Sequence, residues 1–225
     1  DKHRDDAGII YALSRKSTED LARDLTADGF KTLPYHAGLT FEERSRHQLL
    51  FLKDEVRIIV ATIAFGMGIN KSNVRFVVHA DLPKNIESYY QETGRAGRDG
   101  LKSEALLFYS GGDVVKLRKF VTIEGNQQQS KIMLHKLAQM ADLCEMSVCR
   151  RQKILAYFGE IIEGNCQSCD VCLSTYQQFD GTVIAQKALS AVARFNELPY
   201  EKELFAVLKI VRTNIAISEQ VPAYI

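Results

Sequence analysis

Along the first 110 residues, short apolar runs rich in β-branched residues alternate with stretches whose apolar positions recur every three or four residues. That alternation predicts a parallel sheet wrapped by helices, a doubly wound α/β domain. Residues 7–12, 30–35, 56–62, 74–79 and 105–109 read as its strands. Ser17, Thr18, Glu19 and Asp20 read as a helix cap followed by acids in the first turn, with Leu21 and Leu25 then sharing one face. Thr40 and Glu43 have the spacing of a capping box, ahead of a helix expected to turn Leu49, Leu50 and Leu52 to the core. Asn85 reads as the cap of a helix through Tyr89 and Tyr90 to Gly94. After Gly111 and Gly112 the β signal stops. Leu134, Leu137 and Leu143, then Ile154, Leu155 and Phe158, predict a second, helical unit, and a partial helical pattern follows beyond Asp180.

The composition, 46% hydrophobic and 25% charged over 225 residues, is that of a soluble globular protein with room for one full domain and a smaller one. No apolar run approaches the ~18 residues of a membrane span. The first six residues are too polar for a signal peptide, so a cytoplasmic protein without a membrane partner is expected. Overall charge is nearly balanced, with 29 Lys+Arg against 28 Asp+Glu. Residues 114–153 are not balanced: Lys116, Arg118, Lys119, Lys131, Lys136, Arg150, Arg151 and Lys153 face only Glu124, Asp142 and Glu145. Such a stretch is either a solvated helix face or a surface for phosphates.

Four cysteines, Cys149, Cys166, Cys169 and Cys172, carry the clearest chemistry. Four thiolates at short spacing suit tetrahedral Zn²⁺, whereas disulfides are disfavoured in a cytosolic chain and leave Cys169 between two equally near partners. No open coordination position remains, so the metal is expected to be structural, with Arg150 and Arg151 offsetting the negative charge of the thiolates. Cys144 reads as a buried small hydrophobe. In residues 91–100, QETGRAGRDG, the forks of Arg95 and Arg98 suit phosphate oxygens, although spacing alone serves a salt-bridged turn equally well. Gly66-Met67-Gly68 lacks the rest of a dinucleotide fingerprint, and no G-x-x-x-x-G-K-[ST] loop occurs.

Taken together, IVATIAFGMGINK at 59–71, VRFVVH at 74–79 and NIESYY at 85–90 running into residues 91–100 closely resemble the last two helicase motifs of the RecQ family of DNA helicases. The four cysteines resemble its zinc-binding module. The resemblance covers residues 1–180. It implies a second RecA-like motor domain at 1–112 and a helical zinc-binding module at 113–176. It further implies that Arg98 is the arginine finger reaching across to ATP and Mg²⁺ held by a first RecA-like domain, that Arg95 and Gln91 complete the nucleotide-facing motif, and that Asn70 lies near the nucleotide. Ser14 and Arg15, His36 with Gly38, and Thr62 match positions that grip the phosphates of single-stranded DNA, all at the ends of predicted strands. The residues themselves leave alternatives open: a packed His36, backbone-bonding Ser14 and Thr62, a surface ion pair for Arg15, and core packing for Tyr89 and Tyr90.

The sequence also departs from the family. It holds no phosphate loop, acidic Mg²⁺ motif or aromatic-rich loop, and it opens in what resembles the linker between motor domains. A piece of a longer polypeptide is therefore expected, inactive alone. Residues 177–202 resemble the start of the family's winged-helix domain, and 203–225 the start of its helicase-and-RNase-D C-terminal domain. A whole winged helix does not fit between Asn196 and Glu203, so either the homologue is shortened or two separated segments are joined. The resemblance implies an ATP-dependent 3′ to 5′ helicase acting on single-stranded and duplex DNA in repair and recombination. The alternative is a non-catalytic zinc-stabilised module that binds DNA or a partner protein.

Overall fold

In the computed structural model, residues 3–63, 65, 69–122, 125–174, 182–184, 186, 187 and 190 are described. Five strands, β1 (Ala7–Tyr11), β2 (Thr32–Tyr35), β3 (Ile58–Ala61), β4 (Val74–His79) and β5 (Glu104–Leu107), form one parallel sheet in the order β2-β3-β1-β4-β5. Parallel strands need both faces covered. One face carries Ile10, Ile58, Val60 and Phe76 against Ala22, Leu21 and Leu25 of α1 (Arg15–Ala27). The opposite face carries Ile9, Tyr11, Ile59, Ala61 and Val77 against Phe65 and Phe51 of α2 (Phe41–Leu52). The doubly wound expectation is met, with an entirely buried β1 at the centre.

Two local expectations are corrected. Helix α1 starts at Arg15 and is capped by Ser14, whose Oγ accepts from the Ser17 N–H at 3.0 Å. Ser17 is thus inside the first turn, and Glu19 and Asp20 fall beyond it. In α2 the capping box is present: Glu43 N–H donates to Thr40 Oγ1, and Thr40 N–H donates to Glu43 Oε2. The residue that enters the core is Phe51, while Leu49 and Leu52 are exposed. His47, one turn earlier, bonds the Pro34 carbonyl at 2.7 Å, which fixes the phase of the helix on the sheet.

Helix α3 (Ile86–Thr93), capped by Asn85 Oδ1 on the Ser88 N–H, follows β4. The remaining elements are helices: α4 (Gly111–Val121), α5 (Gln127–Glu145), α6 (Arg150–Tyr157) and the short α7 (Asp170–Leu173). Ser110 opens α4 by bonding Asp113 through both its N–H and its Oγ. Leu117 and Val121 of α4 and Leu137, Met140 and Leu143 of α5 share one core with Leu82, Ile86 and Tyr89. Helix α3 is therefore packed on both sides, against the sheet and against the helical region. Asp1–Leu173 form one compact unit and Ser174–Ile225 a second. The winged-helix and C-terminal-domain resemblances at 177–202 and 203–225 lie outside the described residues except for 182–184, 186, 187 and 190, and so does the 66–68 turn. Among the described residues no helix is long and apolar enough to cross a membrane.

Candidate functional site

The carboxyl ends of β1, β2 and β3 bring three of the sequence motifs side by side, where an open α/β sheet presents its ligands. Ser14 caps α1 with its Oγ and accepts from the Thr18 hydroxyl with its carbonyl, 2.8 Å away. Arg15 lies over Gly38: a β-carbon there would stand 3.1 Å from Arg15 Cδ and Nη1. Gly38 thus lets a guanidinium cross the β2 loop. His36 is buried, at 2% exposure, and both ring nitrogens are engaged. Gly38 N–H donates to Nδ1 at 3.2 Å, so Nε2 carries the proton and donates to Glu19 Oε1 at 3.0 Å. His36 ties the β2 loop to α1 rather than standing open to a ligand. Thr62 N–H donates to the Tyr35 carbonyl at 3.1 Å, joining the β3 loop to the β2 end. Asp81 Oδ2 accepts from the Leu13 N–H at 2.8 Å and holds the β1 loop from the β4 side.

A second group surrounds the end of α3. Gln91 and Asn70 are exposed. Arg98 is exposed and anchored at its base, donating from Nε to the Gly94 carbonyl at 3.3 Å and from Nη1 to the Ile69 carbonyl at 3.1 Å. Among the described residues these carbonyls take two of its five N–H donors. Arg95 is buried, at 8% exposure, and its charge acts on the Tyr11 hydroxyl, which donates to the Phe65 carbonyl at 3.3 Å. Burial pushes the Tyr11 phenol up, against the opposing pull of the Arg95 charge, so the hydroxyl keeps its proton. The turn between the arginines depends on Gly97, at φ 67°, where a β-carbon would stand 2.7 Å from Ser103 Oγ and 2.9 Å from the Leu101 carbonyl. Asp99 closes the turn by accepting both of its short contacts from Arg75 Nη2, 2.6 Å each. Tyr89 lies in the core beside α5, and Tyr90 is half exposed with its ring 4.9 Å from that of Phe158.

The four cysteines converge as their spacing suggests. Their Sγ atoms all lie within 4.8 Å of one another, with Cys166–Cys172 at 3.8 Å and Cys169–Cys172 at 3.4 Å. A tetrahedron with Zn–S arms of ~2.3 Å has edges of about 3.8 Å, so the set fits Zn²⁺, and these separations are far too long for disulfides. Burial resists ionisation of Cys166, but hydrogen bonds from Ser168 and the Cys169 N–H outweigh it and pull the thiol down to about 5. Burial and then its neighbouring thiols push Cys172 up to about 12. Crowded thiolates of this kind are stabilised by a divalent cation. Cys144 stands apart, its thiol pushed up to about 11 by burial. The Arg150 charge acts on the Cys169 thiol, as the charge-offset expectation has it, and its hydrogen bonds go elsewhere. Arg150 forks onto Asp170, from Nε at 3.1 Å and Nη2 at 2.9 Å, and donates from Nη1 to the carbonyls of Leu143 and Met146. That clamp joins the end of α5 to α6 and α7. The basic surplus is also partly spent internally, since Lys116 pairs with Asp113 and Lys136 with Glu87.

Sequence reasoning passed over Tyr11, His79 and Glu92. His79 Nε2 meets Glu92 Oε2 at 2.7 Å with both side chains buried, and the Tyr11 ring stacks on His79 at 5.3 Å. Each sits in a recognised stretch, but on a different element, and no local spacing pairs them.

The family profile described as Helicase conserved C-terminal domain matches residues 1–100, and that described as RecQ zinc-binding matches residues 111–173. The ATP-dependent DNA helicase RecQ of Pasteurella multocida is 47% identical over 203 residues, 90% of this chain and 32% of that protein. The protein of the same name from Haemophilus influenzae is 45% identical over 214 residues, 95% of this chain and 35% of its own. A DEAD box protein of known structure from Methanococcus jannaschii is 31% identical at a TM-score of 0.46, covering 52% of this chain and 32% of that one. The chain spans about a third of the length of the bacterial relatives it matches. With a parallel sheet and four convergent thiols under these two profiles, the chain belongs to the RecQ helicase family, of which it carries the C-terminal helicase domain and the structural zinc-binding module.

Proposed function

We propose that this chain is the second motor half of an ATP-dependent DNA helicase that tracks 3′ to 5′ along single strands and unwinds duplexes in DNA repair and recombination, in the cytoplasm or nucleoid. ATP would be held between this domain and a phosphate-loop domain of the same protein, and Mg²⁺ bound by that domain would supply charge neutralisation at the phosphates. Arg98 and Arg95 supply positive charge as the cleft closes, Gln91 and Asn70 line the nucleotide side, and hydrolysis lets the cleft reopen. Ser14, Arg15, Gly38 and Thr62 grip DNA phosphates at the strand ends, and His36 fixes the shape of that grip.

The observation that carries this reading is the anchoring of the arginine turn and of the strand-end loops to one sheet, the first through the Gly97 N–H on the Val74 carbonyl of β4, with Arg98 bonded to Ile69 in the core under that sheet, and the second through β1, β2 and β3. Motion of the arginine turn relative to a nucleotide therefore moves the DNA grip with it. The test is DNA-stimulated ATP hydrolysis by the full-length natural protein. Arg98→Ala should lower turnover by roughly 10³–10⁵-fold with single-strand affinity retained. Preserved turnover removes the finger assignment, and a wild type that binds DNA without turnover leaves a zinc-stabilised binding module.

A further inference from the structure

Behind the arginine turn, the four buried side chains of Tyr11, His79, Glu92 and Arg95 form one linked group. Glu92 Oε2 meets His79 Nε2 at 2.7 Å. His79 lies under the Tyr11 ring, the planes inclined by only 21°. The charge of the buried Arg95 guanidinium acts on the Tyr11 hydroxyl. The Arg95 backbone N–H donates to the Glu92 carbonyl at 3.3 Å. The group draws on β1, β4, the end of α3 and the turn itself, and the Tyr11 hydroxyl links it to Phe65 in the β3 loop.

A buried guanidinium is costly unless negative charge lies close by. The Glu92 carboxylate, at 6% exposure, is the acid that acts on the same Tyr11 hydroxyl as Arg95. Its described partner is an imidazole that is 1% exposed. The pair therefore pins the last turn of α3 to β4, three residues before Arg95 and six before Arg98.

We propose that Glu92 and His79 are positioning residues of the arginine turn, fixing Arg95 through Tyr11 and thereby the angle at which Arg98 is presented. This inference rests on the nucleotide-facing reading of that turn. Neither side chain touches the nucleotide. Their loss therefore degrades the geometry of the closed state and not the binding of either ligand.

The test is steady-state DNA-stimulated ATP hydrolysis by the full-length protein, with wild type and Arg98→Ala alongside. Glu92→Gln keeps the shape and removes the charge. His79→Gln keeps an N–H donor towards Glu92, and His79→Leu removes it. Tyr11→Phe keeps the stacked ring and deletes only the hydroxyl, so it reports on the group even where a buried-charge variant fails to fold. Glu92→Gln, His79→Leu and Tyr11→Phe should each lower kcat by about 10- to 100-fold. KM for ATP and single-strand affinity should stay within about twofold, the melting temperature should hold in Tyr11→Phe and fall in His79→Leu, which strands the buried Glu92 carboxylate, and His79→Gln should recover part of kcat. Unchanged kcat in folded variants overturns the proposal, as does a parallel fall of kcat, DNA affinity and melting temperature, the mark of a general structural role. Should the wild type itself lack turnover, or Arg98→Ala retain it, the functional reading fails first. Normal wild-type turnover, an inactive Arg98→Ala and a fully active Tyr11→Phe remove this inference alone.

Discussion

Single residues set how closely the two candidate grips can be drawn. Gly97 and Gly100 both have positive φ, but only Gly97 is crowded, by Ser103 and the Leu101 carbonyl. Gly97→Ala should cost the ~1–2 kcal/mol of a left-handed backbone plus the displacement of its neighbours, while Gly100→Ala pays only the first part. Urea unfolding of the two variants checks the order. At Gly38 an added β-carbon would stand 3.1 Å from the Arg15 side chain, which can swing aside, and 3.1 Å from Nδ1 of the buried His36, which Glu19 holds in place. Gly38→Ala should cost about 1 kcal/mol of stability and weaken single-strand binding about tenfold, the worth of one charge-assisted hydrogen bond, as read by fluorescence anisotropy. The zinc ligands were legible because three of the four thiols lie within seven residues and a metal set needs only type and spacing. The identity of His36 was visible and its job was not, since the Glu19 carboxylate that occupies it comes from the preceding helix.

Elements were legible where their signals are local. The caps at Thr40 and Asn85 use partners three residues on, and both appear in the structure as the spacing implied. Thr40→Ala should cost about 1 kcal/mol, seen as a lower urea midpoint with an unchanged slope. The phase of α2 was not legible, because Leu49, Leu50, Phe51 and Leu52 are all apolar and only contact with the sheet selects Phe51. The turn after α2 holds a charge pair that pattern reading did not find: Lys71 Nζ, 3% exposed at its side chain, bonds Asp54 Oδ1 at 2.9 Å and lies over the Phe51 ring. The Lys71 hydrogen bond holds the Asp54 carboxyl below its usual range, against burial. A depressed folded pKa adds stability above the ordinary aspartate pKa and loses it as pH falls through the folded value. Asp54→Asn should thus cost about 1 kcal/mol at neutral pH, allowing for screening at the half-exposed carboxylate, and nothing in acid well below the aspartate range. Unfolding measured across that range checks the convergence.

At the scale of the whole molecule, the zinc site and the arginine turn are joined by α3, whose Ile86 and Tyr89 enter the same core as Leu137, Met140 and Leu143 of α5 and whose Glu87 pairs with Lys136. Metal-binding energy in such a module is folding energy. Cys169→Ser, or chelation, should therefore raise amide exchange first in α6 and α7, then in α3, and last in β1 and β3. Exchange mass spectrometry reads that order directly, and equal protection in α6 with and without zinc would remove the structural role of the metal. The sheet order has a further consequence, for biosynthesis. Strand β1 bonds only to β3 and β4, which follow it much later in the chain, with β2 and two helices made in between. A nascent chain therefore carries the apolar segment AGIIY with both edges open until β3 has emerged from the ribosome, and with one edge open until β4 has. Slow, non-local pairing of this kind makes the half-made chain prone to aggregation. A nascent chain stalled with nothing beyond residue 57 outside the ribosome should give the species most dependent on chaperones.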